Sequence, residues 1–277
     1  MIKRRHFAAL STGALITCLG VLSCSPAVVT PPSAGEDSAD TTVSSAESVE
    51  LTISVAASVQ DAMNEVQAAY QAEAPNVTIT YNFGPSGSLA QQISQGAPTD
   101  VFLSASKKWM DNLVEEDQIL EGSRQNLLQN AIVLIVPQAE TNITDFQALD
   151  ADSISKVAIG EPESSPAGRY AKEVLTAMTL FEPLQSKLVF GKDVRQVLSY
   201  VATGNVDAGL VYATDALLSD QVQAIATAPA DTHSPIVYPV AVVQDSTNAE
   251  AAQAFVDFLS TDTAVAIFVD YGFSMAE

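Results

Sequence analysis

The chain has 277 residues, 47% of them hydrophobic, and a positive mean hydropathy, which excludes a mainly disordered protein and leaves room for two modest domains or one large one. It carries 33 acidic residues against 12 basic ones; if Lys3, Arg4 and Arg5 leave with a leader, nine basic residues remain against 33, a net charge of −24. A chain this acidic repels nucleic acid and anionic lipid surfaces, so neither is expected as a partner.

At the N-terminus, Lys3-Arg4-Arg5-His6-Phe7 precedes an apolar run from Ala8 to Leu22 and then Ser23-Cys24, the layout of an export signal. The run is too short and too poorly flanked for a permanent spanning helix. Val21-Leu22-Ser23-Cys24 resembles a bacterial lipobox, which implies a signal over residues 1–23, cleavage before Cys24 and a lipid on its thiol. An ordinary Sec signal cut later is the alternative, and Arg4-Arg5-His6-Phe7 also resembles a twin-arginine signal. Cys18 and Cys24 are the only cysteines, so with one removed and the other acylated no disulfide forms. Residues 24–48, rich in Ser, Thr, Ala and Pro, cannot bury a core and read as a flexible tether.

From Glu50 the texture changes. Leu51-Thr52-Ile53-Ser54-Val55 alternates as a strand, and Val59, Ala62, Met63, Val66, Ala69 and Tyr70 recur at helical spacing up to Pro75. Ser58 is placed as the N-cap of that helix, with Asp61 in a capping-box position. Val77 to Tyr81 is a second strand, followed by a Gly-Pro-Ser-Gly loop and a helix carrying Leu89 and Ile93. Val101-Phe102-Leu103 is a third strand, and a helix with Trp109 and Leu113 follows it. Ala131 to Val136 is a continuous apolar run, expected as a fully buried strand. The rhythm restarts with strands at 156–159, 188–190 and 208–212 and helices over 169–178 and from Val194 to Val201, the latter stopped by Gly204-Asn205. A strand over 236–243 and two helical stretches, 251–259 and 263–269, close the chain. This is an α/β pattern of two units joined by two long apolar strands, with a cleft between two lobes. One lobe is expected over residues 49–130 plus 237–277 and the other over 131–236.

Several strand-to-helix junctions are built from small or hydroxyl residues: Ala56-Ala57-Ser58, Gly84-Pro85-Ser86-Gly87-Ser88, Ser165-Pro166-Ala167-Gly168 and Gly191-Lys192-Asp193-Val194. A helix N-terminus offers unpaired N–H groups and a partial positive charge, so it holds anions without a basic side chain. Converging junctions would form a neutral, donor-rich anion cage, although such a junction taken alone is mostly a structural cap or turn.

Beyond these junctions, the segments Gly96-Ala97-Pro98-Thr99-Asp100-Val101-Phe102, Pro162-Glu163-Ser164-Ser165-Pro166-Ala167-Gly168-Arg169-Tyr170, Asp193-Val194-Arg195, Gly209-Leu210-Val211-Tyr212-Ala213-Thr214-Asp215 and Tyr238-Pro239-Val240-Ala241 stand in family order. From about Glu50 to the C-terminus the chain closely resembles the periplasmic molybdate-binding proteins of ABC transporters. The resemblance implies the two-lobed periplasmic-binding-protein fold, each lobe a mixed, mostly parallel sheet flanked by helices, joined by two crossing strands. It implies capture of molybdate or tungstate between the lobes outside the cytoplasm, no cofactor, a monomer, and delivery to a membrane permease. By position, Ser58 and Ser86 would supply hydroxyls and N–H groups, Ala167 and Val194 backbone N–H groups, and Tyr212 its phenol. Pro85 and Gly87 depart from the serine-rich loop of relatives. Arg169 and Arg195 are expected behind the site or on the surface, not on the anion.

Other classes fit less well. Gly84-Pro85-Ser86-Gly87-Ser88 superficially resembles a nucleophile elbow, but Ser88 stands where the second glycine belongs, and His233 is the one histidine after processing. No catalytic residue is assigned, and one histidine without a free thiol makes a bare metal ion a poor ligand. A same-fold protein for sulfate or another oxyanion is the runner-up.

Overall fold

In the computed structural model, residues 48–139 and 142–276 are described. The export signal, Cys24 and most of the tether lie outside them.

The chain opens as alternating strands and helices: β1 (Val49–Ala56), α1 (Gln60–Glu73), β2 (Val77–Gly84), α2 (Ser86–Ser94), β3 (Val101–Leu103) and α3 (Lys107–Glu115). It continues through β4 (Gln125–Gln129) into β5 (Ile132–Pro137), with two residues between them. Then come β6 (Val157–Gly160), α4 (Pro166–Ala177), α5 (Phe181–Leu184), β7 (Leu188–Gly191), α6 (Val194–Ala202), β8 (Ala208–Tyr212), α7 (Ala213–Ala216) and β9 (Val222–Thr227). The chain closes with β10 (Val237–Val242), α8 (Ala249–Phe258), α9 (Asp262–Asp270) and β11 (Ser274–Met275).

The strands form two sheets, ordered β11-β4-β10-β3-β1-β2 and β7-β6-β8-β5-β9. The chain crosses between them twice, at Asn130-Ala131 and over 228–236. Both sheets are mixed, but the parallel share is smaller than expected. β1 runs parallel to β2 and β3, and β6 to β7 and β8, while β10 is antiparallel to both its neighbours and β5 to both of its own. A strand that enters a sheet straight from the other sheet arrives without a crossover helix, so it runs against its neighbours. The two crossing strands, β5 and β10, therefore supply four of the five antiparallel strand pairs among the described residues, and the fifth joins β11 to β4.

The apolar run beginning at Ala131 becomes β5, whose Ile132 to Val136 are all buried, as a strand covered on both faces requires. β4 (Gln-Asn-Leu-Leu-Gln), β9 and β11 escape the sequence reading. β4 has polar ends, and β9 is an edge strand whose Ala and Gln residues leave it mostly half-exposed. On the first sheet, Met63, Val66 and Tyr70 of α1 turn inward, and the Tyr70 ring meets Phe255 and Phe258 of α8 at 5.0 Å between centroids. That contact fixes the C-terminal helices to the sheet that the chain began.

Candidate functional site

The carboxyl ends of β1, β2, β6, β7 and β8 each run into a helix start, and five of these junctions meet at one small cavity between the sheets, a position favoured for ligands in α/β proteins. The cavity's empty space is about 210 Å³ with the open solvent at its mouth included, so little of it is enclosed. Ser58, Ser86, Ala167, Val194 and Tyr212 all line it, together with Ala57, Gly84, Pro85 and Asp193. No lysine or arginine is among the lining residues.

Each junction leaves donors free for a local reason. In α4, Pro166 occupies the first turn and the Ser165 hydroxyl accepts from Gly168 N, so the Ala167 N–H, with no helical carbonyl before it, is left at the cavity wall. In α6 the Asp193 carboxylate accepts from Gln196 N at 2.9 Å, and Val194 is the first helical residue. Asp193 is therefore occupied as a cap. Ser86 opens α2, is wholly buried, and its Oγ accepts from Ala105 N at 3.0 Å.

Ser58 is not the N-cap that the sequence suggested. β1 first enters a 3-10 turn over Ala57–Val59, so Ser58 lies inside the turn, and α1 begins after Val59 without a side-chain cap. The Ser58 Oγ instead lies 3.1 Å from Tyr238 Oη. Asp61, likewise outside any capping box, pairs with Arg195 at 2.7 Å. Tyr212 is 1% exposed, and its hydroxyl has no hydrogen-bond partner among the described residues. Leaving such a group dry costs about 1–3 kcal/mol, so a buried phenol on a cavity wall marks a place for a ligand. Burial pushes the Tyr212 phenol well up, with Tyr238 and Tyr170 adding to the effect, so it stays a donor.

The arginines stand behind the cavity. Arg169 Nη1 meets Glu173 at 2.6 Å, its Nη2 donates to Ser106 Oγ at 2.8 Å, and its guanidinium lies 4.4 Å from the Tyr170 ring centre. Arg195 Nε donates to the Ala57 carbonyl at 3.2 Å and Nη2 to the Ser58 carbonyl at 3.3 Å, withdrawing two acceptors from the junction. The Asp215 Oδ1 is also 2.9 Å from Arg195 Nε, but the N–H is directed at Ala57, so this is a charge contact and not an aligned hydrogen bond. Arg169, Arg195 and the 2.9 Å bond from Gly87 N to the Ser164 carbonyl all join the first sheet's side of the cleft to the second's. Gly87 explains one departure from the serine-rich loop: a Cβ there would lie 2.6 Å from the Ser164 carbonyl oxygen and 2.7 Å from the Trp109 ring.

A larger hollow of about 740 Å³ adjoins the cleft between α2, α3 and residues 163–164. Glu116 and Glu163 on its wall make it hostile to an anion. Sequence reasoning missed Asn130, Asp215 and the supporting role of Tyr238, since no motif marks an asparagine at a strand crossing or a buried carboxylate.

A family model described as bacterial extracellular solute-binding protein matches residues 51–274. The chain belongs to that family. Its members capture solutes for transport and are not enzymes, which places the chain outside the cytoplasm. A Bacillus subtilis protein named as an ABC transporter substrate-binding lipoprotein, YvgL, is 48% identical over 87% of this chain and 92% of its own. The molybdate-binding protein ModA of Haemophilus influenzae is 39% identical over 83% of this chain and 91% of its own. Among solved structures, the Azotobacter vinelandii periplasmic molybdate-binding protein superposes with a TM-score of 0.74 at 25% identity, covering 82% of this chain and 100% of that one. This solute-binding protein therefore shares its two-sheet fold with ModA.

Proposed function

We propose that this solute-binding protein captures molybdate, or its near twin tungstate, between its two lobes and presents it to the permease of an ABC uptake transporter. The observation that carries the reading is the buried, unpartnered Tyr212 hydroxyl facing a cavity rimmed by helix N-termini and two serines. The molybdate-binding relatives supply the identity of the anion. Ser58, Ser86 and Tyr212 donate hydroxyls and Ala167 and Val194 donate main-chain N–H groups. About five charge-assisted bonds of roughly 1.5–3 kcal/mol each support micromolar-to-nanomolar affinity after ordering costs. With Asp193 Oδ1 capping α6 and the Ala57 and Ser58 carbonyls held by Arg195, the wall is richer in free donors than in free acceptors, which disfavours hydrogen phosphate.

Residues 49–130 plus 237–277 act as one body and 131–236 as the other, and they close over the anion by hinging at the two crossings. The chain works as a monomer tethered through a lipid on Cys24. Sulfate, which is also unprotonated, is the second reading, because the same donor-rich wall suits it.

Calorimetric titration of the mature protein with molybdate, tungstate, sulfate and phosphate tests the assignment. Molybdate and tungstate are expected at micromolar Kd or tighter, with sulfate about a hundredfold weaker. Sulfate binding as tight as molybdate overturns it. Trp109 is the single tryptophan and packs beside Gly87 at the cleft, so its fluorescence follows closure. Gly87→Ala inserts a methyl into the Ser164 and Trp109 contact. It should weaken molybdate binding about tenfold or more and blunt the fluorescence change, since overpacking costs about 1–3 kcal/mol.

A further inference from the structure

We propose that Tyr238 and the hinge residue Asn130 set the direction of the Ser58 hydroxyl, so that it shows the anion a hydrogen and not a lone pair. This rests on the cavity being an oxyanion site.

One chain of hydrogen bonds links the hinge to the cavity. Asn130 sits between β4 and β5, where the chain first crosses between the sheets. Its Oδ1 accepts from Ala131 N at 2.9 Å, which identifies the other terminal atom as the amide nitrogen with two hydrogens to give. One goes to Thr214 Oγ1 at 2.8 Å and the other to Tyr238 Oη at 3.3 Å. Tyr238 is fully buried in β10, and burial pushes its phenol up, so it keeps its proton. Having accepted from Asn130, Tyr238 has Ser58 Oγ, at 3.1 Å, as the recipient for its own hydrogen. Ser58 then accepts, and its hydrogen is left for the cavity that it lines.

Ser86 reaches the same state by a shorter route. A backbone N–H, which cannot reverse, donates to its Oγ from Ala105. Both serines are thus biased as donors, one by the main chain and one by a side-chain relay that begins at the hinge. Tyr238 and Asn130 act as positioning residues: they touch Ser58 or each other, and neither lines the cavity. Their effect is to hold the site's polarity in one sense, which is what separates a bare oxyanion from a protonated one.

A double-mutant cycle on the full mature chain tests this, with sodium molybdate titrated into wild type, Ser58→Ala, Tyr238→Phe and the double variant. Tyr238→Phe should raise Kd about tenfold when Ser58 is present and less than about twofold in the Ser58→Ala background. Additive losses would mean that Tyr238 merely packs, and would overturn the proposal. Phosphate competition gives a readout that packing would not move. With its lone pair released, Ser58 can accept from hydrogen phosphate, so phosphate should displace molybdate from Tyr238→Phe at roughly tenfold lower concentration than from wild type. No gain in competition overturns the proposal. Should Tyr238→Phe fail to fold, Asn130→Ala enters the same cycle with a smaller loss of the same sign, again confined to chains that retain Ser58. Absence of molybdate binding by the wild type would instead sink the oxyanion reading itself.

Discussion

Val194→Pro is expected to weaken molybdate binding by about 10- to 100-fold while leaving the fold in place. The anion contact proposed for Val194 is its main-chain N–H, which no ordinary side-chain substitution removes. Proline removes it, and Val194 is the first residue of α6, the one helical position where proline is favoured. The preceding Asp193 has φ −148° and ψ 175°, extended backbone that tolerates a following proline, and its carboxylate still caps Gln196 N. A lost charge-assisted bond of roughly 1.5–3 kcal/mol gives the stated range. Calorimetry beside a thermal melt checks it. Unchanged affinity in a folded variant would remove α6 from the site, and a collapse of the melting temperature would show that the position is structural.

The second large effect concerns stability against pH. Asp215 is wholly buried, and its carboxyl is pushed up to about 7, chiefly by burial. Arg195 beside it pulls the value down, while Asp193 and Asp61 push it up. The folded-state value lies above the ordinary carboxylate value, so the native protein holds an extra proton between about pH 4 and 7. The stabilising contribution of this group is complete below about pH 4 and is lost as pH rises through 7. Asp215→Asn removes the titration. Relative to wild type, the variant should gain stability between pH 5 and 8 by something on the order of a few kcal/mol. Urea unfolding of both proteins across that range measures the difference, and a gap that stays constant with pH would refute the assignment to Asp215.

The junctions that hold Ser58, Ser86, Ala167 and Val194 are legible in the sequence because strand-to-helix turns leave a local signature, while the choice of the five proposed ligand residues, Tyr212 included, comes from the family resemblance. Small residues, a proline in the first turn and a glycine after it mark Ser165-Pro166-Ala167-Gly168 as a helix start by local chemistry alone. The family resemblance then carries Ala167 and Val194, whose side chains have no chemistry to attract attention. For Ser58 the local pattern misleads. A 3-10 turn intervenes between β1 and α1, and the hydroxyl answers to Tyr238, 180 residues away in the chain. Tyr238 itself sits in a segment that reads as a strand and carries part of the family resemblance, with nothing to assign its hydroxyl a role.

The alternation of β and α, the buried crossing strand β5, the acidic character that disfavours nucleic acid, and the helix starts rich in free N–H groups can all be read along the chain. Those are properties of neighbours within a few residues, where propensity, periodicity and turn chemistry act. It takes the folded chain to show that five junctions face a single cavity, that Arg195 reaches back to the Ala57 and Ser58 carbonyls, and that burial pushes the Asp215 carboxyl up to about 7. Desolvation and hydrogen-bond polarity depend on which distant groups the two lobes bring within about 3 Å, and that distance is set by packing across the cleft.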